Sequence, residues 1–472
     1  MEKTYFGSYK GYFQSEHDLW VSHGDRCSHC YTIGQTGTGK STFLHSLAVQ
    51  DIHHGKAVVV IDPHGTLAQK VAASVPKDRI KDVIYVDAGD TARPVGINPL
   101  FGSDRLSGDE RAKRAGYTVW ALKGVYGDSW GPELERVLMA SVLALMDAPG
   151  VRPTLLSVLQ LIEDEGFREI VAEKIENRAA WLYFNDTLTR YRKGEFEQKS
   201  SSTSNKIFQI AANPVIANML GQYRPSFSFK DALLEKKILI FNLNQTALGP
   251  VHCDLACALI ASEAIIGAID RTKNTEKTGN DGSIEYDVDH CYMHIDEFHR
   301  SYSMVFSSVL SEARKYKLGL TLAHQFMDQV DKRILDAVLG NCGTSVMFRV
   351  SSKDAVLLAE HTTDRKPEMF NDLQRGQAII QSLKDGNPFD YGYSNIQPFG
   401  YYSDRRSELV RNVSRHQYGR VREKVEAAIT RELSIGRSQR TKALTIGDNS
   451  NQKEQLNQTV NNHMTFIQNN LK

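Results

Sequence analysis

The chain has 472 residues, 41% of them hydrophobic and 24% charged, a composition that fits a globular protein with a substantial core. Lys and Arg number 57 against 56 Asp and Glu, so a net charge of +1 excludes a globally basic surface, and any contact with a polyanion must use a local face. Six cysteines in a chain of this length exclude a disulfide framework, and the absence of a run of about 18 apolar residues argues against a membrane helix.

In chain order, the opening "MEKTYFGSYKGYFQSEHD" lacks a signal-peptide core, so a cytoplasmic location is expected. Cys27 and Cys30 form a CxxC beside His23 and His29, but no second ligand pair follows at metal spacing, so they read as reduced thiols at a strand edge. "CYTIG" (30–34) predicts a strand and "KSTFLHSLAVQDIHHG" a helix ending at Gly55. "AVVVID" (57–62) predicts a buried strand, "GTLAQKVAASV" a helix and "VIYVD" (83–87) a third strand. Continuous apolar strands alternating with helices specify a parallel sheet covered on both faces.

After "GINPL" (96–100) the pattern becomes purely helical, in "PELERVLMASVLALMD", "TLLSVLQLIED" and "SNKIFQIAANPVIANML". Residues 101–225 therefore read as an all-helical insertion between an N-terminal part, 1–100, and the rest of the α/β domain, 226–400. The sheet resumes at "KILIFNL" (237–243), followed by the apolar helix "DLACALIASEAIIGAI" and a polar loop. Further strands are expected at "CYMHIDE" (291–297), "LGLTLAHQ" (318–325), "SVMFRV" (345–350) and "QAIIQSL" (377–383). Residues 401–472 turn basic, then polar. Between Asp404 and Lys442 stand eleven Lys and Arg against five acids, which reads as a solvated helical face or as a contact for a phosphate backbone. The last stretch is Asn- and Gln-rich.

Gly34-Gln35-Thr36-Gly37-Thr38-Gly39-Lys40-Ser41, followed by Thr42, matches GxxxxGK[ST] after a strand and at the start of a helix. Glycines there let backbone N–H groups turn toward phosphate oxygens, and the helix N-terminus adds its positive dipole end. Lys40 would reach the β- and γ-phosphates of ATP, and the Ser41 hydroxyl would hold Mg²⁺. A partner acid is expected at the end of a later buried strand. "YMHIDEF" supplies Asp296 for the metal and Glu297 to polarise an attacking water, which favours hydrolysis over transfer to a small acceptor. Asp62 of "VIDPHG" either supports the nucleotide loop or the attacking water, or makes a plain turn before Pro63. Gln325, closing its strand, is placed to hydrogen-bond the γ-phosphate or the water, or is a polar strand terminus. Arg314, at the end of the predicted helix "MVFSSVLSEARKYK", and Arg349, in "MFRV", are alternative arginine fingers that spacing does not separate.

Taken in order, "RCSHCYTIGQTGTGKSTFL", "VVVIDPHG", "DVIYVD", "GINPL", "HIDEFH", "LSEARKYKLGLTLAHQ", "LGNCGTSVMFRV" and "RGQAII" resemble the FtsK/HerA superfamily. Within it they are most similar to the ATPase domain of the TraD/TraG-like conjugative coupling proteins of type IV secretion, over roughly residues 25–385. The resemblance implies a RecA-like P-loop NTPase core with a mostly parallel sheet and an inserted all-α domain. It also implies a ring, expected to be a hexamer, that moves single- or double-stranded DNA through a central channel. By motif it assigns Lys40 and Ser41 to Walker A, Asp296 and Glu297 to Walker B, Arg314 to the finger and Gln325 to the γ-phosphate sensor. Membrane-bound members carry N-terminal membrane helices and HerA proteins an N-terminal β-barrel, whereas this sequence opens close to its P-loop. Recruitment to the inner membrane face by secretion-channel or relaxosome proteins is one expectation. A HerA-like motor paired with a nuclease, or a nucleotide-gated scaffold with slow, DNA-independent hydrolysis, are the alternatives.

Overall fold

The structure, a computed structural model, describes residues 3–11, 15–278, 284–301, 306, 309–362, 365–400 and 403–434. Its strands are β1 (Lys3–Lys10), β2 (Glu16–Ser22), β3 (Cys30–Ile33), β4 (Ala57–Asp62), β5 (Val83–Asp87), β6 (Ile238–Asn242) and β7 (Glu276–Thr278). They continue with β8 (Ile284–Tyr286), β9 (Cys291–Ile295), β10 (Leu318–His324), β11 (Thr344–Met347), β12 (Gln377–Lys384) and β13 (Asn387–Asn395). Eleven of them form one sheet in the order β2-β1-β13-β12-β11-β3-β10-β9-β4-β6-β5, while β7 and β8 make a separate antiparallel ribbon.

From β11 to β5 every neighbouring pair is parallel. These are the apolar runs of the sequence, and they are buried on both faces as parallel strands must be. Val58 and Val60 of β4 join one core with Phe43, Leu44 and Leu47 of the helix Lys40–His53 and with Leu67 and Val71 of the helix Thr66–Ser74. Val59 and Ile61 point the other way, into a core shared with the helix Pro250–Asp270 and the helical domain. Helix Pro250–Asp270 has the length and apolarity of a membrane span, which run-counting did not anticipate, yet 83% of its apolar window is buried within the fold.

Residues 101–225, all described, contain no strand. Their main helices are Gly108–Tyr126, Pro132–Asp147, Leu155–Glu163, Glu165–Ala172, Glu195–Ala212 and Pro214–Leu220. The run expected as one helix over 204–220 is two. Asn213 turns to an extended backbone and its side chain caps the new helix through the Val215 and Ile216 N–H groups, with Pro214 at the first helical position.

The antiparallel extension was not anticipated: β12 turns back through β13, and β1 and β2 add a hairpin at that edge. β11 ends at Met347, short of the expected Val350. Residues 311–317 are turns, so Arg314 does not close a helix but sits in the turn leading into β10. The basic stretch folds back as two helices, Asp404–Tyr418 and Arg422–Leu433. Val410 and Ser414 are buried there, and the Ser414 hydroxyl accepts the Tyr85 N–H of edge strand β5 at 2.7 Å while donating to its carbonyl at 3.3 Å. Arg415 pairs with Asp90, Arg420 donates to Gln222 at 2.9 Å and to the Pro225 carbonyl at 3.1 Å, and Arg422 pairs with Glu426 at 2.7 Å. Arg437, Arg440, Lys442 and the polar tail lie outside the described residues.

Candidate nucleotide site

The C-terminal ends of β3, β10, β9 and β4 lie side by side, and that is where parallel sheets bind ligands. The loop after β3 wraps onto the start of helix Lys40–His53. Gly39 has φ +133°, and a Cβ on Gly34 would come within 2.5 Å of the Phe348 Cβ, so neither position accepts a side chain. The loop is braced from both sides: the Gln35 N–H donates to the Arg349 carbonyl at 2.8 Å, and the Thr38 carbonyl accepts the Gly376 N–H at 2.9 Å. Within it the Gln35 carbonyl accepts the Thr38 hydroxyl at 2.7 Å and the Lys40 ammonium at 3.1 Å, and Lys40 also donates to the Gly34 carbonyl. Burial lowers the Lys40 pKa, against an upward pull from Asp296 and Glu297. Gly37 is exposed, and Thr42 is half-buried beside Ser41.

Asp296 and Glu297 follow β9 directly and are 6% and 4% exposed. The Ser41 hydroxyl donates to Asp296 Oδ2 at 3.2 Å, joining the two expected metal ligands. Burial, then the neighbouring carboxylates of Asp62 and Glu297, push the Asp296 pKa up to about 6, with Lys40 and Ser41 opposing. A hydroxyl and a carboxylate at this spacing are hard oxygen donors of the kind Mg²⁺ takes, and a dication would return the carboxyl to its ionised form. The residues present fit the ion.

Glu297 adopts a left-handed backbone (φ 50°, ψ 53°), uncommon for a residue with a side chain and frequent at functional turns. Gln325, at the end of β10, donates from Nε2 to Glu297 Oε1 at 2.5 Å and accepts the Thr36 hydroxyl on Oε1 at 2.9 Å. One amide thus ties the phosphate loop to the acid. Asp62 uses both oxygens locally, accepting the His64 N–H and the Ala68 N–H at 2.8 Å each, so it caps the next helix and acts on Asp296 through its charge.

Two residues of the site went unread in the sequence. His64 Nε2 lies 3.9 Å from Glu297 Oε1, and His299 Nδ1 lies 3.5 Å from Oε2. The signal was present in "DPHG" and "DEFH", where a His follows each strand-end acid. Arg314 and Arg349 separate by position. Arg349 follows β11 on the phosphate side, with its carbonyl on the loop itself. Arg314 is exposed, precedes β10 and acts electrostatically on Cys27 just before β3, so it sits at the opposite, N-terminal end of these strands. A strand of the length of β10 puts about 20 Å between that end and the loop. Cys27 and Cys30 are buried free thiols, Cys30 Sγ lying 3.8 Å from the Thr32 hydroxyl, and burial raises both to about 12. Among the described residues no group of three or more His, Cys, Asp or Glu is placed to hold a metal.

No family model and no curated protein matches the chain. Solved structures do. The plasmid coupling protein TrwB in complex with the ATP analogue ADPNP superposes with a TM-score of 0.56 at 14% identity, covering 80% of this chain and 87% of that one. TrwB in complex with ADP and Mg²⁺ gives 0.54 at 15%, covering 82% and 88%. VirB4 of Thermoanaerobacter pseudethanolicus gives 0.51 at 11%, covering 85% and 98%. At these identities the likeness establishes the fold alone, a RecA-like P-loop NTPase fold with a mostly parallel sheet.

Proposed function

We propose, from the premise that this chain shares the fold of the TrwB and VirB4 ATPases, that it is an ATP-hydrolysing motor that works as a ring on DNA. The observation that carries this reading is the convergence of Lys40, Ser41, Asp296, Glu297 and Gln325 at one end of the sheet, with Gln325 bonded both to the phosphate loop and to Glu297. In this role the loop N–H groups and Lys40 bind the β- and γ-phosphates, and Ser41 and Asp296 hold Mg²⁺. An ion held by Ser41 and Asp296 would supply positive charge against the phosphates. Glu297 accepts the proton of the attacking water, and Gln325 holds that carboxylate while contacting the loop through Thr36, so loss of the γ-phosphate is felt at β10.

Arg314 cannot reach its own chain's phosphates from the far end of the strands, which suits a residue that completes a neighbour's site. Arg349, on the near end, would act within its own subunit. DNA as the cargo rests on the fold likeness and on the coupling-protein motif series. Steady-state ATP hydrolysis, measured with no DNA, single-stranded DNA and duplex DNA over a range of protein concentrations, tests the reading, with Glu297→Gln as the control. Hydrolysis that rises with DNA and steeply with protein concentration, and is lost in Glu297→Gln, is expected. Slow turnover indifferent to DNA would replace the motor by a nucleotide-gated scaffold.

A further inference from the structure

A carboxylate held at one oxygen can still rotate about that contact. Gln325 holds Glu297 at Oε1, at 2.5 Å, whereas Oε2 is buried and has no hydrogen-bond partner among the described residues. A buried carboxylate oxygen without a donor is costly, so a donor should stand within reach of it.

His299 supplies one. Its Nδ1 lies 3.5 Å from Oε2 and is itself buried without a hydrogen-bond partner among the described residues. Two atoms that each lack a partner therefore sit side by side, just outside bonding geometry. Hydrogen bonds of a catalytic site are often long before substrate binds and tighten in its complex. A carboxylate beside a ring nitrogen also selects the tautomer that carries its proton there. His64 is placed less well: its Nε2 lies 3.9 Å from Oε1, which Gln325 already occupies, and its side chain is 48% exposed.

The turn Phe298–Arg300 that carries His299 is fixed on both sides. Before it, Phe298 is buried and meets the His324 ring edge-on, 5.0 Å between centroids. After it, Arg300 pairs with Asp254 of the helix Pro250–Asp270 at 2.7 Å, and the buried Ser301 donates its N–H to the Phe298 carbonyl at 2.9 Å. The imidazole thus needs only a small adjustment to close on Oε2.

We propose that His299 is a second positioning residue for Glu297, its Nδ1–H donating to Oε2 while Gln325 donates to Oε1, so that the carboxylate plane is set toward the attacking water. The inference rests on the reading of Glu297 as the acid that takes the water's proton. Each carboxylate oxygen carries two lone pairs, so Oε2 can accept from His299 and still receive that proton.

The test is ATP hydrolysis by the full chain, with single-stranded and with duplex DNA, resolved into kcat and KM, together with ATP affinity by calorimetry. Wild type, His299→Ala, His299→Asn and His299→Gln are compared. Asn puts its amide nitrogen where the ring has Nδ1, and Gln puts it one bond farther out. His299→Ala should lower kcat by about 100-fold and leave KM and ATP affinity within about twofold. His299→Asn should return kcat to within about threefold of wild type, while His299→Gln stays close to His299→Ala. Full kcat in His299→Ala would overturn the inference, as would a parallel loss of ATP affinity or a rescue by Gln equal to that by Asn. Should His299→Ala fail to fold, the contrast between Asn and Gln decides alone. A wild type that hydrolyses no ATP would overturn the reading of Glu297 and the inference with it, whereas an active wild type beside an equally active His299→Ala overturns the inference alone.

Discussion

Acid should destabilise this chain through histidines that the fold keeps neutral, and at His29 the size of the effect can be worked out. The residue is 1% exposed, its Nε2 donates to the Leu310 carbonyl at 3.0 Å, and its Nδ1 accepts the Leu320 N–H at 3.2 Å. A second ring proton would point at a donor, and burial carries the pKa from 6.5 down to about 4. Between those two values the unfolded chain binds a proton that the native chain does not. Stability is therefore full above pH 7 and falls as the pH drops through the window. At pH 5 the loss relative to pH 7 is about 2 kcal/mol from His29 alone, a sizeable part of the 5–15 kcal/mol typical of a folded domain. His324, lowered by burial to about 3, acts in the same direction. Urea unfolding of the wild type and of His29→Gln at pH 7 and pH 5 is the assay. The variant loses stability at neutral pH, but its further loss at pH 5 should be about 2 kcal/mol smaller than that of the wild type. Equal pH dependence in both proteins would refute the argument. Because Leu310 precedes the turn that carries Arg314, the same protonation would also loosen that turn.

Three further outcomes are expected. Lys40→Ala should weaken ATP binding by about 100-fold in calorimetry, since the loop's cation is lost while the fold is kept; unchanged affinity would remove Lys40 from the phosphate contact. Arg314→Ala should bind ATP normally yet hydrolyse it about a thousandfold more slowly, and mixing it with Glu297→Gln subunits should restore part of the rate. Full activity of Arg314→Ala alone would exclude the finger. Asp51→Asn should cost about 3–5 kcal/mol in denaturant unfolding, because it strands the buried Arg26 guanidinium, whereas Arg26→Met with Asp51→Leu should recover most of the loss. A cost below about 1 kcal/mol for the single substitution would mean that Arg26 finds another partner.

The parallel strands were legible because a strand buried on both faces must be a continuous apolar run, as "AVVVID" is. The phosphate loop and its two acids were legible because the chemistry restricts both residue type and position. β1, β2 and β13 were not: β2 alternates exposed and buried residues, β13 is mostly exposed, and although each belongs to a local hairpin, the β1–β13 pairing that joins those hairpins links residues hundreds of positions apart. The same reason hid the cluster in which Asp51 accepts from both arms of Arg26 and lies 3.0 Å from His294 Nε2, with Thr4 on the same guanidinium at 2.8 Å. Four segments contribute one residue each, and none carries a local signature. Gln325 could be placed at a strand end, but its double contact with Thr36 and Glu297 needed three strand ends brought together. Arg314 was placed on a helix because "SSVLSEARKYK" has good helix formers, yet the chain must turn there to enter β10.

An open-ended sheet is a template, and an eleven-stranded one would be an inviting place for another chain to add a strand. At β5 that invitation is withdrawn by a side chain: the Ser414 hydroxyl occupies both the N–H and the carbonyl of Tyr85, and the helix Asp404–Tyr418 lies across the strand. Copies of this protein are thus steered away from fusing through that strand by backbone ladders, which are cooperative and slow to break. At that edge any contact is left to side chains, whose interactions can be made and released one at a time.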